Sequence, residues 1–246
     1  AWPVPTALDE QAIDDLISAF ARAAARGVEA GFRVIELHGA HGYLLHSFLS
    51  PLSNLRTDSW GGSPAARMQF PLRVIEAVRA AIPDEIALFY RVSSVDGVEG
   101  GLVLADVIDF ARAASSAGVD VIDTSSGGIV TDRTFDSRVR RGFAFHADFS
   151  RDIRAHVPGV VATVGLIVDA VQAERLIRVG DTDLVLLGRQ MLDDPNWAMH
   201  ARRTLGADEF DHWHVEASSA LQAHRRTLDR LGEAGETPLD RFAEMP

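Results

Sequence analysis

The chain contains no cysteine and no lysine, all 24 of its basic residues being arginine. The first absence excludes disulfides, thiolate nucleophiles, cysteine-ligated zinc and cysteine-held iron–sulfur clusters within this chain. The second excludes Schiff-base catalysis and the lysine of a phosphate-binding P-loop. Long hydrophobic runs are also missing: none approaches the roughly 18 residues that mark a membrane span, so no membrane partner is expected. The opening Ala1-Trp2-Pro3-Val4-Pro5 has neither the basic nor the apolar region of a signal peptide, and a cytoplasmic protein is the expectation. Positive charge is in the minority. Against 35 acidic residues it leaves a net charge of −11, which repels phosphate backbones and argues against nucleic acid as a partner.

What is present suffices for a core: 246 residues, 47% hydrophobic and 24% charged, with one domain as the default. Strand and helix signals alternate to about residue 205, the pattern of βα units around a parallel sheet. A helix over 8–30, with Thr6 as its cap, precedes five short apolar runs at 33–38, 86–92, 119–124, 160–164 and 183–187. Helices are predicted between them at 64–81, 104–117, 145–156 and 168–179, and a further one at 215–231. Near-continuous apolar strands predict a sheet covered on both faces. Residues 1–205 read as the barrel-forming portion and 206–246 as a helical tail.

In such folds chemistry gathers after the C-terminal ends of the strands. After the first run stands His38-Gly-Ala-His41-Gly-Tyr43, two imidazoles and a phenol in one loop. The imidazoles can hold a carbonyl oxygen and stabilise developing enolate charge, and Tyr43 can act as general acid. Satisfaction of backbone groups at a strand end accounts for the two histidines equally well. No metal is expected, since Glu36 and Asp58 make no familiar ligand spacing with them, and His46 has no role in this set. Gly165 after the fourth run and Gly188-Arg189 after the fifth suit a phosphate, each opening a helix with free N–H groups; routine turn glycines and a solvated arginine are the plainer reading. Arg91 ends an apolar strand, so it should face a ligand, or pair with Asp123 or Glu36. Ser125, Ser126 and Gly127 are accounted for by turn chemistry.

Taken together, the His38-to-Tyr43 loop, the run Asn54…Asp58…Gly61-Gly62-Ser63…Arg67, Tyr90-Arg-Val-Ser93, Val164-Gly-Leu-Ile167 and Leu187-Gly-Arg189 closely resemble the Old Yellow Enzyme family of flavin-dependent ene-reductases. The His-x-x-His form is similar to the bacterial xenobiotic-reductase branch. The resemblance implies an α/β fold of the (β/α)8 TIM-barrel type, with FMN at the strand ends, NADH or NADPH as reductant, and a small enone as substrate. It implies that His38 and His41 hold the substrate carbonyl while Tyr43 donates the proton. It further implies that Arg91 meets the flavin pyrimidine, and that Val164, Gly165, Leu187, Gly188 and Arg189 contact the cofactor at its phosphate end.

Only about the last five βα units of that barrel are legible, so the chain alone should hold FMN poorly. An excised segment of a longer polypeptide, a front part supplied from elsewhere, or completion in a homo-oligomer is the matching expectation. Three other readings compete. One is a reductase module of a bifunctional enzyme acting on CoA thioesters, and another an incomplete barrel without flavin activity. The third, a flavin-free phosphate-binding aldolase or isomerase, leaves the His-His-Tyr set unused.

Overall fold

The computed structural model describes residues 6–130, 139, 141–207 and 212–238. In chain order these form α1 (Glu10–Glu29), β1 (Val34–Gly39), α2 (Leu44–Leu49), α3 (Pro64–Ala81), β2 (Ala87–Ser93), α4 (Leu104–Ser116), β3 (Val121–Ser125), α5 (Ala147–Arg154), β4 (Val160–Thr163), α6 (Ala170–Arg178), β5 (Leu184–Val185), α7 (Arg189–Asp193), α8 (Trp197–Thr204) and α9 (Val215–Glu233). The chain divides into two compact units, the first made of residues 1–167 and 175–187, the second of residues 168–174 and 188–246.

In the first unit the strands form one parallel five-stranded sheet in the order β1-β2-β3-β4-β5. Consecutive βα units lay each strand beside its predecessor in this way, so five strands of a TIM-type barrel are present. The register places His38 opposite Arg91, Arg91 opposite Asp123, Asp123 opposite Ala162 and Ala162 opposite Leu184. One face of the sheet packs on helices. Leu37, Leu88, Tyr90, Val92, Ile122 and Val161 meet Ile13 and Ile17 of α1, Phe70, Val74 and Val78 of α3, and Val107 and Phe110 of α4 in one buried cluster. Each large apolar side chain buried there contributes roughly 1.5–3 kcal/mol.

The other face departs from the expected apolar cover. Side chains alternate across a strand, so Glu36, His38, Arg91 and Asp123 fall together on this face and interrupt the apolar runs with a polar row. Val34, Val160 and Leu184 on the same face are exposed.

Local chemistry explains the element ends. Asp9, not Thr6, caps α1: its carboxylate accepts Ala12 N–H at 2.8 Å, and it stands immediately before the first helical residue, where a cap must be. Ser63 accepts Ala66 N–H at 3.1 Å and Pro64 occupies the first turn of α3, where its missing N–H costs nothing. Two aspartates join neighbouring strands at their starts. Asp120 Oδ2 accepts Leu88 N–H at 2.8 Å and lies 3.4 Å from Arg79 Nη1; Asp183 Oδ2 accepts Val161 N–H at 3.0 Å, with Arg154 Nε 2.8 Å from its other oxygen.

In the second unit Asp169 Oδ1 accepts the N–H groups of Val171 and Gln172 at 2.9 and 3.0 Å, and Trp197 Nε1–H donates to Val168 O at 2.9 Å. Among the described residues no helix is long and apolar enough to cross a membrane.

Candidate active site

β1 ends at Gly39, and the chain turns into α2 through His41 (φ 59°) and Gly42 (φ 78°), both in the left-handed region. For His41 this is a strained conformation. At Gly42 glycine is needed twice over, because a Cβ there would also overlap the carbonyl oxygen of Gly128. The turn is held from outside. His41 N–H donates to Ser93 Oγ at 3.1 Å, Ser93 Oγ–H donates to Gly127 O at 2.8 Å, and Gly42 N–H donates to His46 Nδ1 at 2.8 Å.

This turn brings the three sequence-predicted rings together. The ring centroid of His38 lies 5.2 Å from that of His41 and 5.1 Å from that of Tyr43, whose side chain is exposed. His41 Nε2 meets Ser125 Oγ at 2.6 Å. Burial, reinforced by the Arg91 guanidinium, holds the His41 imidazole down at about 4 and also lowers His38. His41 is therefore a neutral ring at physiological pH, able to donate one hydrogen bond and accept another.

Arg91 lies beside His38 in the polar row, and its Nη1 is 3.1 Å from Asp123 Oδ2. The pairing reading of Arg91 is thus seen, while the guanidinium stays partly exposed and its Nε has no partner among the described residues. Burial pushes Asp123 up to about 7 and also raises Glu36. Among the described residues no group of three acidic or histidine side chains is placed to hold a metal.

At the end of β4, Val164 O receives Nδ1–H of His146 at 2.8 Å, so His146 Nε2 is the acceptor for Ser126 Oγ–H, also at 2.8 Å. No local motif marks this histidine in the sequence. It is buried, held down at about 4 chiefly by that burial, and it ties the turn after β3 to the turn after β4. Gly165 (φ 124°) passes so close that a Cβ would lie 2.8 Å from Phe145 and 3.1 Å from His146 Nδ1. The helix N-termini expected to bind phosphate differ from expectation. The first N–H groups of α6 are taken by Asp169, and α7, which Gly188 precedes, has only five residues. Leu187 is half-buried in the first unit, whereas Gly188 and Arg189 are exposed in the second.

Two features fit a flavin: Arg91, with an N–H left unpaired, and the neutral histidine rings at the strand ends.

Comparison with known proteins agrees. Residues 2–208 match the NADH:flavin oxidoreductase / NADH oxidase family. The NADPH dehydrogenase of Bacillus subtilis (strain 168) is 41% identical over 204 residues, 83% of this chain and 58% of that protein. That of Geobacillus sp. (strain WCH70) is 40% identical over 202 residues, 82% of this chain and 57% of that protein. Among solved structures, histamine dehydrogenase from Rhizobium sp. 4-9 superposes with a TM-score of 0.71 at 30% identity, over 81% of this chain and 29% of that one. A 2-naphthoyl-CoA reductase shares the fold with a TM-score of 0.72 at 24% identity, over 82% of this chain and 30% of that one. The chain spans less than two thirds of the length of the curated relatives it matches. It belongs to the NADH:flavin oxidoreductase / NADH oxidase family.

Proposed function

We propose that this member of the family carries the substrate-binding side of an FMN-dependent oxidoreductase that uses NADPH or NADH to saturate the activated C=C bond of a small α,β-unsaturated carbonyl compound. The observation that carries the reading is the clustering of His38, at the end of β1, with His41 and Tyr43 of the braced turn that follows, its ring centroid 5.2 and 5.1 Å from theirs. The chemistry that bound FMN would supply is hydride transfer, with the nicotinamide as its source of electrons.

The chain's own residues do the rest. His38 and His41 donate to the carbonyl oxygen and stabilise the enolate charge that builds there. For His41 to donate from Nδ1, its Nε2 must accept from the Ser125 hydroxyl, which stands 2.6 Å away. Tyr43 gives its O–H proton to the α-carbon, so that one hydride and one proton add across the double bond, and the tyrosinate recovers a proton from water. Arg91 is assigned to the flavin pyrimidine. Val164, Gly165 and Leu187, which follow β4 and β5 in the first unit, are assigned to its phosphate end.

Tyr43→Phe tests the reading by stopped-flow absorbance. Flavin reduction by NADPH is expected to stay within about twofold, while reoxidation by 2-cyclohexenone slows on the order of a hundredfold or more, the usual worth of a positioned proton donor. Equal loss in both half-reactions removes the proton-donor role.

A further inference from the structure

A turn with two consecutive residues in the left-handed region needs its N–H groups held, and in the His41–Gly42 turn each is held by a side chain from elsewhere. One of those side chains, His46, lies on α2 and is fully buried. A backbone amide can only donate, so the 2.8 Å contact from Gly42 N–H makes His46 Nδ1 an acceptor and leaves the ring proton on Nε2. That Nε2–H meets Asp96 Oδ1 at 2.8 Å. Asp96 is itself held, because its Oδ2 accepts Ser50 Oγ–H at 2.7 Å and Leu102 N–H at 2.8 Å. An unbroken line of hydrogen bonds, buried from His46 onward, thus runs from the backbone of the turn to a carboxylate anchored at both oxygens.

We propose that His46 is the positioning residue of the turn carrying His41 and Tyr43: its Nδ1 holds the Gly42 amide, its Nε2–H is fixed on Asp96, and together they set where the two reactive rings stand. The inference deepens the proposed function and rests on it for the roles of His41 and Tyr43. A histidine that merely filled the core could be replaced by any residue of similar bulk. Here the requirement is narrower, an acceptor at the δ position. Asparagine places its carbonyl oxygen there, leucine offers none, and glutamine reaches toward Asp96 without serving Gly42.

The test uses the full chain. Ring ¹⁵N spectra of the unmutated protein should show His46 protonated at Nε2 and unprotonated at Nδ1. Amide hydrogen exchange should show at least a tenfold loss of protection at Gly42 in His46→Leu and its recovery in His46→Asn, with the strand amides of Tyr90 and Ile122 unchanged in both. With FMN and 2-cyclohexenone, His46→Leu should slow flavin reoxidation at least tenfold and His46→Asn should restore most of the rate. A proton on Nδ1, or equal Gly42 protection in the leucine and asparagine variants, overturns the proposal. Where His46→Leu fails to fold, His46→Gln against His46→Asn makes the same contrast. Absence of enone reduction by the unmutated, flavin-loaded protein overturns the reading of the site alone, because the ring nitrogens and the Gly42 amide report on the turn without any substrate.

Discussion

A carboxyl group sealed from water titrates late, and the Asp123 side chain on β3 is fully buried. Its 3.1 Å distance from Arg91 Nη1 argues for a carboxylate, yet burial pushes it from an ordinary 3.8 up to about 7. Burial prevails for two reasons. Arg91 stays partly in water, which screens its field, and neither Asp123 oxygen receives an aligned hydrogen bond among the described residues. An acid whose folded pKa is raised binds more protons folded than unfolded, so its contribution to stability falls as pH rises from about 4 to about 7. Asp123→Asn removes that slope. Urea unfolding at about pH 5 and about pH 8 should show the unmutated protein losing about 2–3 kcal/mol relative to the variant over that interval. Parallel pH curves for the two would contradict the assignment. His38, His41 and Tyr43 are legible in the sequence because six consecutive residues carry them, whereas the choice of Asp123 over Glu36 as the partner of Arg91 is made only by the paired strands.

Strand ends and helix ends show how far short-range chemistry reaches. The expected helix over 64–81 coincides with α3, since a serine cap and a proline in the first turn are chemistry of the chain itself. The expected stretch 145–156 shortens to Ala147–Arg154, because Phe145 and His146 lie in the turn that leads into α5, His146 bonded to Ser126 and Val164. The short α2 escaped notice, as six residues give periodicity little room. Between strands, Asp183 links β4 to the start of β5 by accepting Val161 N–H, with Arg154 on its other oxygen. Asp183→Ala leaves that buried amide unsatisfied. The expected cost is about 1–3 kcal/mol in denaturant midpoint analysis, with an unchanged slope. A loss indistinguishable from zero would mean that water replaces the carboxylate at this edge.

At the scale of the molecule, the sheet of the first unit is open among the described residues, with β1 and β5 each paired on one side. The loops that follow its strands therefore gather the candidate groups without closing a ring around a ligand. FMN, an anion, would also meet a chain of net charge −11, so binding at the proposed site would rest on local N–H and guanidinium groups. Titration with FMN, followed by flavin fluorescence, is expected to saturate, and gel filtration is expected to strip most of the bound flavin. A yellow protein that survives desalting would show that these strands hold the cofactor without help.

The alternation of helices and strands, the ring-bearing turn and the family resemblance were determined by the sequence alone, because each depends on residues within a few positions of one another. Which face of the sheet is polar was written there too, in the alternate placement of Glu36, His38, Arg91 and Asp123, but it became visible only when the register set these residues side by side. Tertiary structure alone decided the bracing of the site. His46 and Asp96 are 50 residues apart, His41 and Ser125 are 84 apart, and His146 and Val164 are 18 apart. Hydrogen bonds over such separations exist only after the strands have paired, because the pairing brings the strand ends within a few ångströms and closes off the water that would otherwise satisfy them.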